Sequence, residues 1–460
     1  MTNDLHESVL AEITPSDEEN QVINGLVDEL CKLISDTVTN LEINLKIDPI
    51  LVGSVAKGTH LTNPDIDIFM MFPEFTPRAE LERYALKIGK VVIPDGEERY
   101  AEHPYISGKY KDFDADIVPC YLITDPKKLK SAVDRTPFHT RYIKNNLDTG
   151  LIPDVLLLKQ FMKGIGVYGA EIEIQGFSGY LCELLIKHYS GFENLLENAR
   201  GWDTQTYINM KDEPVPENKE IEFKNDPLIF IDPVDPKRNV ASALSVDNYE
   251  LFKIANGAYL ATPSRSFFFP NPIQPMSETE LVDQIKSRST KFIGIVFKTP
   301  EVIPDILYSQ LRKAEKAIGK LCEDKEYSIH DSGFTVADNR TSLILLEFTT
   351  FTLPAEELHF GPPKDNKNAQ KFTEKWKGSD KAIEPPYIDP DDERWKVKIY
   401  REFTEVEVLI KAEISDLSLG KHVGSELKTQ FEMVTDTELV RKEYFSYLTQ
   451  FLTKKHRWEY

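Results

Sequence analysis

Cysteine and long apolar runs are scarce in this chain, and each absence excludes a class of protein. The four cysteines, Cys31, Cys120, Cys182 and Cys322, form no Cys-x-x-Cys pair and no cluster with histidines, which argues against a zinc finger or a disulfide framework. No segment reaches the roughly 20 apolar residues of a membrane-spanning helix, and the first residues lack the pattern of a secretory signal. We therefore expect a cytoplasmic protein without a membrane partner.

Basic charge is also scarce, because 55 lysines and arginines face 76 acidic residues and leave a net charge of −21. Since nucleic-acid-binding proteins are typically basic, composition alone points away from nucleic acid, and a polynucleotide would need a local basic surface. Two candidates for such a surface are Arg312, Lys316 and Lys320, spaced four apart on a predicted helix beside Lys313, and the cluster 454–457. Both patterns are equally typical of a solvated face.

Length and the order of elements predict an α+β protein of several domains. A chain of 460 residues is too long for one ordinary core, so two to four domains are expected. Strands predicted at 43–52, 65–72, 99–109 and 113–123, with helices between the first three, indicate a small mixed sheet. Helices are predicted at 127–148, 153–163, 178–188, 192–200 and 247–260. A Pro-, Asp- and Glu-rich stretch at 210–235 holds one strand, and an α+β module follows in which 361–394 is predicted to be an exposed excursion.

Two aspartates open the second predicted strand. Because side chains alternate along a strand, Asp65 and Asp67 share one face while Ile66 and Ile68 share the other. Adjacent carboxylates repel each other unless a cation lies between them, and Mg²⁺ prefers such oxygen ligands together with substrate phosphates. A lone Asp-x-Asp is nevertheless more typical of a solvated strand edge, so this motif needs support from elsewhere.

That support comes from both sides of the motif. Upstream, Gly53 lets the backbone approach a phosphate. Ser54 begins a short predicted helix, and its hydroxyl together with the N–H groups at the helix start can bind a phosphate. Downstream, a further acidic strand offers Asp114 and Asp116 on a common face, and strand alternation does not choose between them. Two metal ions about 3.5–4 Å apart in such a site activate an attacking oxygen and neutralise a leaving pyrophosphate.

Gly53-Ser54, Asp65-x-Asp67 and Asp116 together resemble the signature of the polymerase-β-type nucleotidyltransferases. The flanking sequence is similar to one branch of them, the archaeal class I CCA-adding enzymes, which are tRNA nucleotidyltransferases. The segments that carry this likeness are Arg99-Tyr-Ala-Glu-His-Pro-Tyr105, Asp116-Ile-Val-Pro-Cys-Tyr121, Ser131-Ala-Val-Asp-Arg-Thr-Pro-Phe-His139, Tyr168-Gly-Ala-Glu171, Gly176-Phe-Ser-Gly-Tyr-Leu-Cys-Glu-Leu-Leu185 and Asp232-Pro-Val-Asp-Pro-Lys-Arg-Asn-Val-Ala241. The likeness is nearly continuous from about residue 15 to 330 and weaker beyond.

The resemblance implies addition of C, C and A to the 3′ end of immature tRNA from CTP and ATP. It assigns Asp65, Asp67 and Asp116 to two Mg²⁺ ions and chooses Asp116 over Asp114. Its motif positions also imply nucleotide contacts, at Gly53, Ser54, Lys57 and Lys159 for the triphosphate and at His139, Tyr168, Arg238 and Asn239 for the rest of the nucleotide. The four basic residues from 312 to 320 become candidates for the tRNA backbone, and a homodimer is implied.

Several of these assignments compete with plainer interpretations. Lys57, where the family often has arginine, and His139 are each compatible with a surface position, and Tyr168 with the core. Lys159 lies among leucines, where an unpaired charge is costly, so we expect its ammonium to reach out towards phosphate. Asp65 replaces a frequent glutamate with the same kind of ligand.

Composition and resemblance together predict four domains. A nucleotidyltransferase head spans 1–145, a helical neck that completes the nucleotide pocket spans 146–275, a body comprises 276–330 with about 420–460, and a tRNA-contacting tail spans 331–419. The alternative functions are a poly(A) polymerase or an oligoadenylate synthase with the same carboxylates. An inactive RNA-binding module and a small-molecule nucleotidyltransferase are disfavoured, because all three carboxylates are present and the likeness extends far beyond the catalytic part.

Overall fold

The computed structural model describes residues 2–211 and 223–460. They divide into two compact units, Met1–Ile273 with Lys455–Tyr460, and Gln274–Lys454. Part of the predicted Pro-rich stretch, 212–222, lies outside the described residues. Across the described part, every helix is too short or too polar to span a bilayer. The predicted α+β class is confirmed.

The first unit begins with two helices and a mixed sheet. The elements are α1 (Thr2–Ile13), α2 (Asp17–Asn40), β1 (Asp48–Leu51), α3 (Gly53–Lys57), β2 (Ile66–Phe72), α4 (Arg78–Val92), β3 (Glu97–Tyr100), β4 (Pro104–Tyr110) and β5 (Phe113–Tyr121). The sheet order is β1-β2-β5-β4-β3, in which β2 and β5 are parallel and the other pairs antiparallel. Ile66, Ile68 and Met70 are buried in the core formed with α2 and α4, so alternate residues of β2 lie on the opposite face.

A helical part completes the first unit. It contains α5 (Thr136–Asn146), α6 (Ile152–Ile165), α7 (Gly179–Tyr189), α8 (Phe192–Ala199), the short parallel pair β6 (Thr206–Ile208) and β7 (Leu228–Phe230), and α9 (Val246–Ala261). The helix predicted at 127–148 begins only at Thr136. The Asp134 carboxylate accepts the backbone N–H groups of Tyr121, Lys130 and Ser131, which ties the preceding segment to the end of β5 instead.

The second unit is built on two antiparallel sheets. Its elements are α10 (Glu278–Ser287), β8 (Lys291–Lys298), α11 (Pro304–Asp324), β9 (Ile329–Val336), β10 (Thr341–Phe348), β11 (Glu356–Pro363), α12 (Ala369–Trp376), β12 (Tyr387–Ile388), β13 (Arg394–Tyr400), α13 (Val406–Glu413), α14 (Lys421–Thr429), β14 (Glu432–Thr435) and α15 (Phe445–Thr453). The sheet orders are β14-β8-β10-β9 and β11-β13-β12.

Two expectations for the C-terminal half need correction. The segment 361–394 is not only an exposed excursion, because α12 packs Trp376 against Val397 and Ile399 of β13. The last six residues belong to the first unit and not with residues 420–454, since the Trp458 ring stacks on Phe267 with centroids 5.3 Å apart. The other domain boundaries remain predictions.

Candidate functional site

The sheet brings two of the predicted carboxylates side by side. Asp67 on β2 lies directly opposite Asp116 on the parallel strand β5. Asp114 is paired with Lys109 of β4, and its charge contributes to the raised pKa of Asp65. The register therefore places Asp116 against Asp67, and the choice of Asp116 over Asp114 as a metal ligand stays a prediction. Asp65 immediately precedes β2 and is exposed.

Their environment disfavours simultaneous ionisation. Burial, followed by the charges of Asp116 and Asp65, raises the pKa of Asp67 to about 7. Burial also raises the pKa of Asp116, against a hydrogen bond from Ser107. The pKa of Asp65 is raised as well, because the protein around its carboxylate removes part of its hydration even though the residue is exposed at the surface, and because Asp114 is close. Carboxylates in this condition fit a divalent cation, which favours the ionised form that crowding and burial oppose.

The carboxylates fit a metal ion that is also bound by the phosphates of the substrate. Among residues 2–211 and 223–460, no three acidic, histidine or cysteine side chains gather closely enough to hold a metal ion by themselves. Mg²⁺ is commonly bound through one or two carboxylates together with substrate phosphates and water. Asp67 and Asp116 supply such a pair, and the assignment of all three aspartates as ligands stays a prediction.

The backbone of Gly53 packs against the side chain of Asp67. Its φ is +70°, and a Cβ atom built there would overlap Oδ2 of Asp67. The backbone is held in this approach because the Val52 N–H donates to the Asp67 carbonyl at 3.0 Å. Glycine is therefore required both by its backbone conformation and by the space that the carboxylate occupies. Ser54, the next residue in α3, is half-buried.

Lys57 and Lys159 converge on a carboxylate to which the sequence patterns assigned no role. Glu183 of α7 accepts from Lys57 Nζ at 2.6 Å and from Lys159 Nζ at 3.2 Å. Lys159 is fully buried and also donates to the Thr59 carbonyl at 2.7 Å. The expectation that its ammonium reaches out of the core is wrong, because Glu183 and Thr59 satisfy it inside; a contact with triphosphate stays a prediction.

A second buried carboxylate, Asp232, organises the predicted nucleotide-binding residues of α5 and the 232–241 segment. It accepts from His139 Nε2 at 2.9 Å, from Arg238 Nη1 at 3.1 Å and from the Tyr180 hydroxyl at 3.3 Å. The His139 ring stacks on Tyr180 with centroids 4.0 Å apart. Burial lowers the pKa of His139, although the bond to Asp232 opposes this. His139 is thus an aromatic donor in a fixed orientation and not a solvated surface residue.

Asn239 and Tyr168 have different surroundings. The Asn239 side chain accepts from the N–H groups of Phe230 and Ala241 and donates to Asp226 and Leu228. All its principal bonds are internal, so it fixes the turn that carries Arg238. Tyr168 is half-buried, and burial, together with several nearby acidic groups that include Asp65, raises the pKa of its hydroxyl. It therefore stays a hydrogen-bond donor near the carboxylates.

The predicted basic face lies on α11 in the second unit. Lys313, Lys316 and Lys320 are exposed, whereas Arg312 is half-buried with its guanidinium 5.8 Å from the centroid of the Phe334 ring. The second predicted cluster, 454–457, is divided between the units. Lys454 pairs with Asp331, and Arg457 packs against Gly166 in the first unit.

Among the residues without a predicted role, Glu183 left a signal in the sequence. Glu183 stands among Leu181, Cys182, Leu184 and Leu185, all of them buried, just as Lys159 stands among leucines. Opposite charges in two apolar helices predict an ion pair, because neither is tolerated alone. Asp232 and Tyr180 lie inside motifs of the family but carried no predicted role, and nothing in their local spacing predicts their contact with His139.

Comparison with known proteins gives consistent matches along the chain. Residues 30–139 match the model of a nucleotidyltransferase domain, residues 153–269 that of the second domain of tRNA nucleotidyltransferase, and residues 288–436 that of the C-terminal domain of CCA-adding enzyme. Among solved structures, a cytoplasmic RNA terminal U-transferase aligns with 59 % of this chain and 98 % of its own at 16 % identity and a TM-score of 0.46, too low to carry an argument.

Curated relatives match over almost their whole length. The CCA-adding enzyme of Methanosarcina acetivorans is 38 % identical over 446 residues, which cover 95 % of each chain. The CCA-adding enzyme of Halobacterium salinarum is 35 % identical over 429 residues, which cover 92 % of this chain and 91 % of the relative. With this identity and coverage, the chain belongs to the CCA-adding enzyme family.

Proposed function

We propose that this chain adds C, C and A in sequence to the 3′ end of immature tRNA, using CTP and ATP without a nucleic-acid template. The observation that carries the proposal is the end-to-end match to CCA-adding enzymes, which covers 95 % of the chain in the Methanosarcina acetivorans relative. The acidic pair Asp67 and Asp116 supports the nucleotidyl-transfer step that such an activity requires.

The family implies the use of a nucleotide and a divalent metal, and we infer two Mg²⁺ ions held by Asp65, Asp67 and Asp116. Bound there, they would supply the charge that activates the primer 3′-hydroxyl and neutralises the leaving pyrophosphate. The chain itself fixes the two strands that carry the carboxylates, so the reacting groups meet in line. The bond from the 3′-oxygen to the α-phosphorus forms as the bond between the α- and β-phosphates breaks, and catalysis is mainly positioning and charge stabilisation.

The nucleotide contacts are proposed in two groups. Gly53, Ser54 and Lys57 face the triphosphate, with Lys159 behind Lys57. His139, Tyr168 and Arg238 hold the sugar and base, and Asn239 orients the turn that carries Arg238. Asp232 supports this arrangement because it accepts from both His139 and Arg238.

The tRNA contacts are proposed on α11, where Lys313, Lys316 and Lys320 present exposed positive charge. Phosphate contacts provide most sequence-independent affinity for RNA, so a local basic face is consistent with an acidic chain. A homodimer is also proposed, and light scattering of the purified protein tests it.

A tRNA transcript that lacks its last three nucleotides tests the proposal. We expect CTP alone to give two added C residues, ATP alone to give none, and both together to give a complete CCA end. A poly(A) polymerase or an oligoadenylate synthase would instead use ATP alone. A long A tail, or no use of CTP, would contradict CCA addition.

A further inference from the structure

Glu183 makes a set of bonds that the proposed mechanism does not use. Its Oε2 accepts from Lys57 Nζ at 2.6 Å, and its Oε1 accepts from Thr59 Oγ1 at 2.5 Å and from Lys159 Nζ at 3.2 Å. The side chains of Glu183, Lys159 and Lys57 are 0 %, 2 % and 8 % exposed. One carboxylate therefore joins α3, α6 and α7 at a point closed to water.

The charged groups of this cluster are two lysines and one carboxylate. Burial lowers the pKa of Lys159, although Glu183 opposes this, so burial works against a second positive charge here, and the cluster presents the Lys57 ammonium to the site. The pKa of Glu183 is held below its ordinary value by Lys57 and Lys159, against the effect of burial, so Glu183 remains ionised at neutral pH. Because a buried charge needs a partner, the ionised Glu183 holds the Lys57 ammonium in one position, where an anion can meet it.

The Lys57 ammonium lies beside the proposed nucleotide site. Lys57 is the last residue of α3, the helix that starts at Gly53. Its Nζ lies 5.8 Å from the centroid of the Tyr180 ring, on which the His139 ring stacks with centroids 4.0 Å apart. At the other end of α3, Gly53 packs against the Asp67 carboxylate. A triphosphate bound along α3 between Asp67 and His139 would therefore meet the Lys57 ammonium.

We propose that Glu183 is a positioning residue that fixes the Lys57 ammonium towards the triphosphate of the incoming nucleotide, while Lys159 and Thr59 hold Glu183 from behind. The inference rests on the proposed function. Because the triphosphate is common to CTP and ATP, Glu183 serves both nucleotides equally and has no part in choosing the base.

Kinetics of Glu183→Gln test this assignment. Loss of a hydrogen bond to a charged group changes affinity by roughly 10- to 100-fold, and we expect KM for CTP and KM for ATP to rise by the same factor in that range. Inhibition by added pyrophosphate should weaken by a similar factor. A change confined to one nucleotide, or undiminished inhibition by pyrophosphate, would overturn the assignment.

A double-mutant cycle tests whether Glu183 acts through Lys57. If it does, Lys57→Met/Glu183→Gln should have the same KM as Lys57→Met alone. Additive effects of the two substitutions would show that Glu183 acts by another route.

If Glu183→Gln does not fold, Thr59→Val keeps the proposal testable, because it removes only the hydroxyl bond to Oε1 of Glu183. It should give a smaller rise in KM that is again equal for CTP and ATP. Unequal rises in KM would overturn the proposal.

Glu347→Gln is the matched control. Glu347 is also fully buried and accepts from Arg288 at 2.8 Å and from Thr290 at 2.7 Å, in the second unit. Both variants should lose thermal stability, but only Glu183→Gln should lose nucleotide affinity. Equal rises in KM in the two variants would reduce Glu183 to a structural role.

If the unmodified protein adds neither C nor A, the proposed function fails. If it adds both and Glu183→Gln keeps the unmodified KM, only this inference fails.

Discussion

Gly53 and Gly58 differ in one respect that bears directly on the site. Both have a left-handed backbone, with φ of +70° and +68°, but a Cβ at Gly53 would overlap Asp67, whereas a Cβ at Gly58 would meet no atom within 4 Å. A side chain in this conformation costs roughly 1–2 kcal/mol. Substitutions at the two glycines therefore distinguish the cost of backbone strain alone from the effect of displacing the Asp67 carboxylate.

We expect Gly58→Ala to lower the free energy of unfolding by roughly 1–2 kcal/mol and to leave turnover nearly unchanged. Gly53→Ala should also lower turnover by about 100-fold or more, because a displacement near 1 Å in a reacting group has that effect. Urea unfolding and steady-state kinetics of the two variants measure both quantities. Equal turnover in the two variants would show that Asp67 does not need the space beside Gly53.

His139 gives a prediction for pH. Burial lowers its pKa from 6.5, so the unfolded chain takes up a proton at a higher pH than the folded chain does. The unfolding free energy therefore falls as pH drops below about 6.5, by up to roughly 1.4 kcal/mol per pH unit until the folded pKa is reached. His139→Asn cannot titrate, so the stability advantage of the unmodified protein over this variant should shrink from pH 7 to pH 5. A constant difference across that range would mean that His139 titrates normally.

At the scale of elements, local pattern predicted what lies within one strand or helix. Alternation in β2 correctly separated Asp65 and Asp67 from the buried Ile66 and Ile68. Local pattern placed the start of the helix predicted at 127–148 too early, because the carboxylate of Asp134 ties the segment before Thr136 to β5. It also missed β13, which pairs with the distant β11, for example Ile399 with Glu357, and β12, which has only two residues.

The basic face of α11 gives a prediction at this scale. Reversal of both Lys316 and Lys320 to glutamate should weaken tRNA binding and reduce the slope of log K against log salt, by roughly 0.7–0.9 for each phosphate that is no longer neutralised. These exposed lysines are better targets than Arg312, which packs on Phe334. Lys286→Glu/Lys428→Glu carries the same change of charge on α10 and α14 and is the control. If both pairs change the slope equally, α11 is not a specific contact.

Across the whole molecule, the sequence predicted the family better than the contacts between distant residues. The family was identified from motifs, and the role of the three carboxylates stays a prediction from the same motifs. The supporting contacts were not predicted, since Lys57 and Glu183 are 126 residues apart and Lys159 and Thr59 are 100 apart. Long-range pairs of this kind follow from packing, which a single sequence does not reveal. A net charge of −21 describes the average surface, whereas the proposed contacts with tRNA and triphosphate rest on local positive charge at α11 and at Lys57.

One carboxylate site that serves both CTP and ATP is the central claim, and single-turnover addition by Asp116→Ala tests it most directly. Two substrates are needed, a tRNA that lacks CCA with CTP and a tRNA that ends in CC with ATP. Both additions should fall by about 1000-fold or more, since the variant forfeits several kcal/mol of charge stabilisation, while tRNA binding is retained. Asp114→Ala, two residues away and opposite Lys109, should keep most activity. Loss of only one addition in Asp116→Ala, or loss of both in Asp114→Ala with activity kept in Asp116→Ala, would contradict the account.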